Sequence, residues 1–202
     1  EEDFRGQRFQ NISGQMKGNN DLLNITRPDV IKDIHRKYLE AGADIIETNT
    51  FNATSISLSD YHVEDLVKAI NLEAAKIARS IADEYTALTP DKPRFVAGSV
   101  GPTNKTASMS PDVNNPAFRS VTYDDVASAY MEQIEALLEG EVDAILIETI
   151  FDTLNAKAAI YAAEEAMKKA GRNVPLMLSV TVSDTGGRTL SGQTLDAFLA
   201  SV

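Results

Sequence analysis

Short apolar runs alternate with helical stripes along most of the chain. The runs at 43–50, 94–99, 142–149 and 174–182 carry few alternating polar residues, which is typical of parallel strands buried on both faces. Between them, apolar residues recur at spacings of three and four, as at Val63, Leu66, Val67 and Ile70. This spacing predicts amphipathic helices that cover the sheet. The predicted helices cover 63–85, 123–139 and 154–170, with another beginning at Leu195 and running to Val202.

The first helix has recognisable end signals. Thr26-Arg27-Pro28-Asp29 predicts its start, with Thr26 as the capping residue, Pro28 in the first turn and Asp29 near the positive end of the helix dipole. Gly42 predicts its C-terminus. The order is therefore one helix followed by repeated strand-helix units, which is an α/β pattern.

Polar residues collect at the predicted carboxyl ends of the strands. Glu47-Thr48, Gly101-Pro102-Thr103, Glu148-Thr149 and Ser183-Asp184 all lie there. A dinucleotide-binding sheet would need a G-x-G-x-x-G turn, which the chain lacks. Polar strand ends favour a (β/α)8 TIM barrel instead. Since four strands are predicted where a barrel has eight, we expect one domain over 1–202 that is an incomplete barrel, with about strands 2 to 5.

Composition narrows the classes of partner and site. The net charge of -11 argues against nucleic acid or an anionic membrane as a partner. The first twenty residues are polar, so no signal peptide is predicted and the cytoplasm is the expected location. The sequence contains no Cys and no Trp. It therefore offers no thiol nucleophile and no cysteine zinc site, and His35 and His62 alone make a poor one.

Glu47 and Glu148 are the strongest candidates for chemistry. They end two predicted strands, and a carboxylate at such a place faces the active end of a barrel. Neutral hydrogen-bonding groups would surround them and suit a small polar ligand with an ammonium group: Thr48, Asn49, Thr50, Asn52 and Thr149. The alternative is that each glutamate caps a loop or pairs with a buried cation.

Two further readings stay open at this point. Paired carboxylates on a barrel also occur in glycosidases, although the absence of Trp and the 6% aromatic content weigh against a sugar site. The long loops at 101–111 and 183–194 either line the pocket, through Gly101, Pro102, Thr103 and Ser183, or are surface excursions.

Six segments together resemble one family. They are FRGQRF (4–9), KGNNDLL (17–23), GADIIETNTFNATSI (42–56), VAGSVGPTNKTASMSPDV (96–113), ILIETIFDTLNAKAA (145–159) and GRTLSGQT (187–194). They resemble the homocysteine-binding barrel of the cobalamin-dependent methionine synthases. The resemblance implies a methyltransferase of methionine biosynthesis, in which a methyl group passes from methyltetrahydrofolate by way of methylcobalamin to zinc-activated homocysteine.

The resemblance also assigns residues and partners. Glu148 matches the glutamate that contacts the amino group of homocysteine, and Thr48 matches a residue that contacts the amino acid portion. The partners it implies are homocysteine and the folate, cobalamin and reactivation modules of the same protein. A third reading, a non-catalytic domain that docks to those modules, stays open.

One feature departs from the family pattern. The family's zinc ligands are cysteines, and this chain has none. We therefore expect these 202 residues to bind no zinc or cobalamin and to be inactive alone. Because an incomplete barrel exposes strand edges and apolar surface, we also expect self-association.

Overall fold

The computed structural model describes residues 1–182 and 185–202. Four strands are present, β1 (Ile45–Glu47), β2 (Phe95–Val100), β3 (Ala144–Ile150) and β4 (Leu176–Val180). Five helices are longer than four residues, α3 (Pro28–Glu40), α5 (Val67–Leu88), α6 (Tyr123–Glu139), α7 (Thr153–Ala170) and α8 (Leu195–Leu199). The short helices are α1 (Glu2–Arg5), α2 (Leu23–Thr26) and α4 (Ser55–Leu58), with 3-10 turns at Asn20–Leu22, Ser59–Tyr61 and Glu64–Leu66.

The strands form one parallel sheet in the order β1-β2-β3-β4. Each strand lies beside the next one along the chain, and a helix connects each pair, as α5, α6 and α7 do here. The prediction of parallel strands joined by helices is confirmed, whereas burial on both faces is not, because apolar side chains of one face remain exposed. The sheet's carboxyl ends all point to the same edge, so the polar strand ends lie together there.

The start of α3 differs from the sequence prediction in one residue. Its capping position is Arg27, which makes no side-chain cap, whereas Thr26 ends α2 and donates its hydroxyl to the carbonyl of Leu22. The prediction of Thr26 as the cap is therefore wrong, because a preceding short helix already uses that hydroxyl. Pro28 does occupy the first turn, and Gly42 has φ 105° just beyond the end, where a residue with a Cβ would be strained.

The main core lies between one face of the sheet and the helices. Ile46, Val96 and Ile145 point to this side and are at most 4% exposed. The alanines of α7 let it lie close to its neighbours, since every one from Ala156 to Ala166 that faces the core is almost fully buried.

A second core forms beneath the polar N-terminal segment. Phe9, Met16 and Leu22 are buried there against Leu58 and Ile70. The Arg5 guanidinium holds this segment together by donating to the carbonyls of Phe9, Ile12 and Gly14. This core was not predicted from the sequence, because its N-terminal members Phe9, Met16 and Leu22 follow no regular period.

The other face of the sheet carries exposed apolar side chains. Ile45 and Phe95, neighbours in the β1–β2 register, are 48% and 44% exposed, and Met177 of β4 is 40% exposed. We call this surface the open face. Among the residues that the structure describes, every helix is too short or too polar to cross a bilayer.

Candidate functional site

Glu47 and Glu148 lie at the carboxyl ends of β1 and β3, with β2 between them. Successive residues of a strand point to opposite faces, and their neighbours Ile46 and Ile147 are buried in the helix-side core. The two glutamates therefore point to the open face. The predicted placement of both at one end of the sheet is confirmed.

A β-bulge precedes the end of β3. Ile147 pairs with Leu178 and Ile150 with Val180, so β3 has one residue more than β4 between these pairs. Thr149 lies in the bulge with φ 54°, a left-handed conformation that is strained for a β-branched residue. Bulges bend a strand and re-aim its side chains, and here the bend lies directly beside Glu148.

Ser99 of β2 contacts Glu148. Its Oγ donates to the Glu148 Oε1 at 2.5 Å, and Ser99 is only 2% exposed. Hydrogen bonds to a charged acceptor are shorter and stronger than neutral ones. This bond fixes the half-buried carboxylate in place.

Glu47 lies on the same face of the sheet as Glu148, with β2 between their strands. Partial burial, and then the nearby charge of Glu148, raise the pKa of Glu47. Within the described residues, the ion pairs involve neither glutamate. The pair is therefore a local concentration of negative charge that a ligand cation would relieve.

Thr48 is buried and its hydroxyl is already bonded. It is 4% exposed, accepts from the Ser99 backbone N–H at 2.9 Å and lies 2.6 Å from the Thr50 hydroxyl. Its side chain thus supports β2 and does not open to solvent.

Asn49 and Asn52 turn towards the N-terminal segment. The Asn49 amide donates to the carbonyl of Asn20 at 2.8 Å, and the Asn52 backbone N–H donates to Asp21 at 3.3 Å. These residues join the end of β1 to the second core.

The loop after β2 is a folded part of the structure. Gly101 packs so closely that a Cβ there would lie 2.3 Å from the carbonyl oxygen of Phe51. Thr103 is buried and donates to the carbonyl of Lys105 at 2.5 Å. Pro102 lies half-buried beside Glu148. Ser183, the last residue of the predicted set, lies outside the described residues together with Asp184.

The predicted site residues border three separate cavities. Glu148, Gly101 and Pro102 line a void of about 10 Å³, which has room for about one water. Glu47, Thr48 and Asn49 line a cleft of about 500 Å³ between α3 and the free edge of β1. Asn52 lines a polar cavity of about 150 Å³ with Asp21. The described residues thus form a cluster at one edge of the sheet and not one enclosed pocket.

A family model identifies the chain. The model of homocysteine S-methyltransferase matches residues 3–202. The chain belongs to the homocysteine S-methyltransferase family.

Solved structures of similar fold agree with this membership. The homocysteine methyltransferase MmuM from Escherichia coli, in its metallated form, has 22% identity and a TM-score of 0.70 over 89% of this chain. Its oxidized form gives 23% and 0.69 over 88%, and its apo form 23% and 0.65 over 90%. The matches cover 60%, 59% and 60% of those chains, so this chain spans about three-fifths of their length.

A zinc ion does not fit the donors that this chain offers. The sequence has no Cys, and the described residues contain no group of three or more His, Asp or Glu side chains arranged to hold a metal. His35 is buried with no partner for its Nε2, and burial lowers its pKa to about 4, but no carboxylate or second histidine joins it in such a group. The described residues therefore offer no zinc site through which a chemical step could pass.

Ser99 was not predicted from the sequence as a residue of the site. Its signal was present, because Ser99 is a polar residue near the end of an apolar strand, as Glu47 and Glu148 are. The sequence does not reveal that β2 pairs with β3, and this pairing brings the Ser99 Oγ to Glu148.

Proposed function

We propose that this member of the homocysteine S-methyltransferase family binds homocysteine at the open face, with the Glu148 carboxylate accepting from the substrate's ammonium group. The observation that carries this proposal is that Glu47 and Glu148 lie on the same face and at the same end of the sheet, and that the ion pairs among the described residues neutralise neither. An ammonium group would supply the missing positive charge and several hydrogen bonds. Family membership supports homocysteine as the amino acid concerned.

Glu47 has a secondary role in this proposal. Its raised pKa reflects its burial and the charge of Glu148, so a cation bound between them would favour the ionised form. Thr149 lies beside Glu148 in the strained bulge, and Asn49 and Asn52 hold the end of β1. Thr48 contributes by supporting β2, and Gly101, Pro102 and Thr103 form the wall next to Glu148.

The sheet is proposed to be a section of a (β/α)8 barrel. Parallel strands in sequential order, connecting helices on one face and carboxylates at the carboxyl ends all agree with that architecture. The open face would then be part of the barrel interior. The zinc ligands of the proposed enzyme would come from outside the described residues.

The methyl donor is proposed to be methylcobalamin, as in the cobalamin-dependent methionine synthases, with methyltetrahydrofolate as the original source. The segments GPTNKT (101–106), IETIFDTLNAKAA (147–159) and GRTLSGQT (187–194) together support this finer assignment. Folate, cobalamin and reactivation modules would be the partners of the chain. The residues described here would bind and orient the amino acid end of homocysteine, leaving its sulfur towards the rest of the enzyme.

Replacing Glu148 by Gln tests the proposal. The change keeps the shape and removes the charge that attracts the ammonium group. In the intact protein, we expect calorimetric titration to show homocysteine binding weakened by about 10- to 100-fold, since a hydrogen bond to a charged group contributes about 1.5–3 kcal/mol.

The matched control is Glu164→Gln on the exposed side of α7, which should leave the affinity unchanged. Unaltered homocysteine binding by the Glu148→Gln protein would rule out the assigned role of Glu148.

A further inference from the structure

The hydrogen bonds between the ends of β1 and β2 form a closed ring. The Ser99 N–H donates to the Thr48 Oγ1 at 2.9 Å, and the Thr50 Oγ1 donates to the Ser99 carbonyl at 2.7 Å. The two threonine hydroxyls are 2.6 Å apart. Just beyond Glu47, the Thr48 backbone N–H still donates to the Ala97 carbonyl at 3.0 Å, and the two threonine hydroxyls add further bonds to β2.

Counting protons fixes the direction of each bond. A hydroxyl has one proton, and that of Thr50 goes to the Ser99 carbonyl, which can only accept. In the contact between the threonines, Thr48 must therefore donate to Thr50. The ring runs from the Ser99 N–H to Thr48, to Thr50 and back to the Ser99 carbonyl, and it binds both backbone polar groups of Ser99.

The Ser99 side chain takes no part in this ring. Its Oγ is left to donate to the Glu148 Oε1 at 2.5 Å. Since Ser99 is 2% exposed, a ligand at the open face cannot contact it directly. Any effect of this hydroxyl on a ligand must pass through Glu148.

We propose that Ser99 is the positioning residue for Glu148, with Thr48 and Thr50 holding its backbone so that its hydroxyl fixes the carboxylate that receives the substrate's ammonium group. This inference rests on the proposed function. The ring makes Ser99 rigid, and a rigid donor holds the carboxylate oxygen in one orientation without an entropy cost when the ligand binds. It also gives Thr48 a role that needs no contact with substrate.

Ser99→Ala is a clean test because it removes the Oγ and keeps both backbone bonds of the ring. In the intact protein, we expect homocysteine affinity to fall about 10- to 20-fold, at the lower end of the range for loss of a hydrogen bond to a charged group. The ligand 4-mercaptobutanoate, which is homocysteine without its amino group, should lose less than about twofold, since it makes no bond to Glu148. Ser57→Ala, which removes another buried serine hydroxyl, is the matched control and should change neither affinity.

A double-mutant cycle separates this inference from the proposed function. In a Glu148→Gln background, Ser99→Ala should have little further effect, because residues that act through one contact are not additive. Equal losses for homocysteine and 4-mercaptobutanoate, or full additivity with Glu148→Gln, would overturn the positioning role. If Glu148→Gln itself leaves homocysteine binding intact, the proposed function fails first.

A second variant covers the case in which Ser99→Ala does not fold. Ser99→Cys keeps a donor of similar size, although a thiol donates more weakly than a hydroxyl. Its homocysteine affinity should lie between those of the unmodified protein and Glu148→Gln. An affinity as low as that of Glu148→Gln would also support the positioning role, because the weak thiol donor then fails to replace the hydroxyl, whereas an affinity equal to that of the unmodified protein would overturn it.

Discussion

Two carboxylates at the carboxyl edge of the sheet have different hydrogen-bond environments. Glu148 receives a short bond from Ser99. Asp21 is 3% exposed, and its side chain accepts from the Asn52 backbone N–H at a longer 3.3 Å. Burial therefore dominates and raises the pKa of Asp21 to about 6. A buried carboxylate that accepts only a long hydrogen bond destabilises the folded protein once it ionises.

Asp21→Asn should stabilise the protein in a pH-dependent way. Because the folded pKa of Asp21, about 6, lies above the ordinary value of 3.8, its protonated form contributes stability below about pH 4, and this is lost as the pH rises through 6. Asn keeps an acceptor for the Asn52 N–H and carries no charge. We expect urea unfolding at pH 8 to show a gain of up to about 3 kcal/mol, and little change at pH 4.

The control for this measurement is Asp91→Asn in an exposed turn, which should shift stability by less than about 0.5 kcal/mol at both pH values. A gain for Asp21→Asn that is the same at pH 4 and pH 8 would show that charge is not its cause.

At the same scale, the sequence predicted some site residues and not their partners. Glu47 and Glu148 were found because a charge at the end of an apolar strand is costly without a use. The Thr48 hydroxyl was expected beside the ligand, but it is bonded within the ring around Ser99. That ring depends on the register between β1 and β2, which brings Thr50 to Ser99, 49 residues further along the chain. No local sequence pattern specifies this register.

At the scale of elements, the predicted bounds of a helix or strand were most accurate where the sequence carries clear capping residues. The helix at 123–139 was predicted to the residue, and it has a full capping box between Thr122 and Asp125. The first strand was predicted over 43–50 but covers only Ile45–Glu47. The residues that follow are Thr-Asn-Thr at 48–50. The hydroxyls of Thr48 and Thr50 bond to the Ser99 backbone beyond the last paired residue, so composition alone overestimates the length of the strand.

The loop after β2 depends on the first turn of α7. Asn155 is 4% exposed, accepts from the Ala107 N–H at 2.9 Å, and donates to Thr103 at 2.9 Å and to the Lys105 carbonyl at 3.1 Å. One side chain thus satisfies three groups of the loop. From the sequence, this loop could either line the pocket or be a surface excursion. The hydrogen bonds from Asn155 anchor it to α7.

Asn155→Ala should loosen this loop. Three buried groups would lose their partner, so we expect a loss of about 2–4 kcal/mol in the free energy of unfolding. Amide exchange at Ala107 should also become faster. Asn114→Ala, in the exposed part of the same loop, is the control, and protection of Ala107 that survives Asn155→Ala would contradict the anchoring role.

At the scale of the whole molecule, the sheet has a covered face and an open face. Exposed apolar side chains on a sheet, together with unpaired strand edges, favour association. Counting four strands where a barrel has eight predicted exposed strand edges and apolar surface, but it did not predict one open face of the sheet. It could not predict which face would remain open, because each apolar run reads as buried on both sides.

We expect the 202-residue chain to self-associate through the open face. Changing both Ile45 and Phe95 to Gln should raise the concentration at which dimers form by about tenfold or more, since each buried side chain of this size contributes about 1.5–3 kcal/mol. Gln leaves the net charge of -11 unchanged, so repulsion stays constant. Light scattering over a range of concentrations measures the effect.

Leu88→Gln is the control, because Leu88 is 71% exposed at the end of α5 and not on the sheet. Dimers that form equally well in the Ile45 and Phe95 double variant would place the contact elsewhere.

The bulge in β3 also bears on how relatives of this chain can differ in length. Ile147 and Ile150 both belong to the helix-side core although they are three positions apart, and the additional residue between them makes this possible. A relative that lacked a counterpart of Thr149 would have a regular strand in which those two positions still faced the core and Glu148 still faced outward. The presence or absence of this one residue therefore leaves the other side chains of β3 on the same faces of the sheet. A deletion elsewhere in β3 would move the side chains beyond it to the opposite faces.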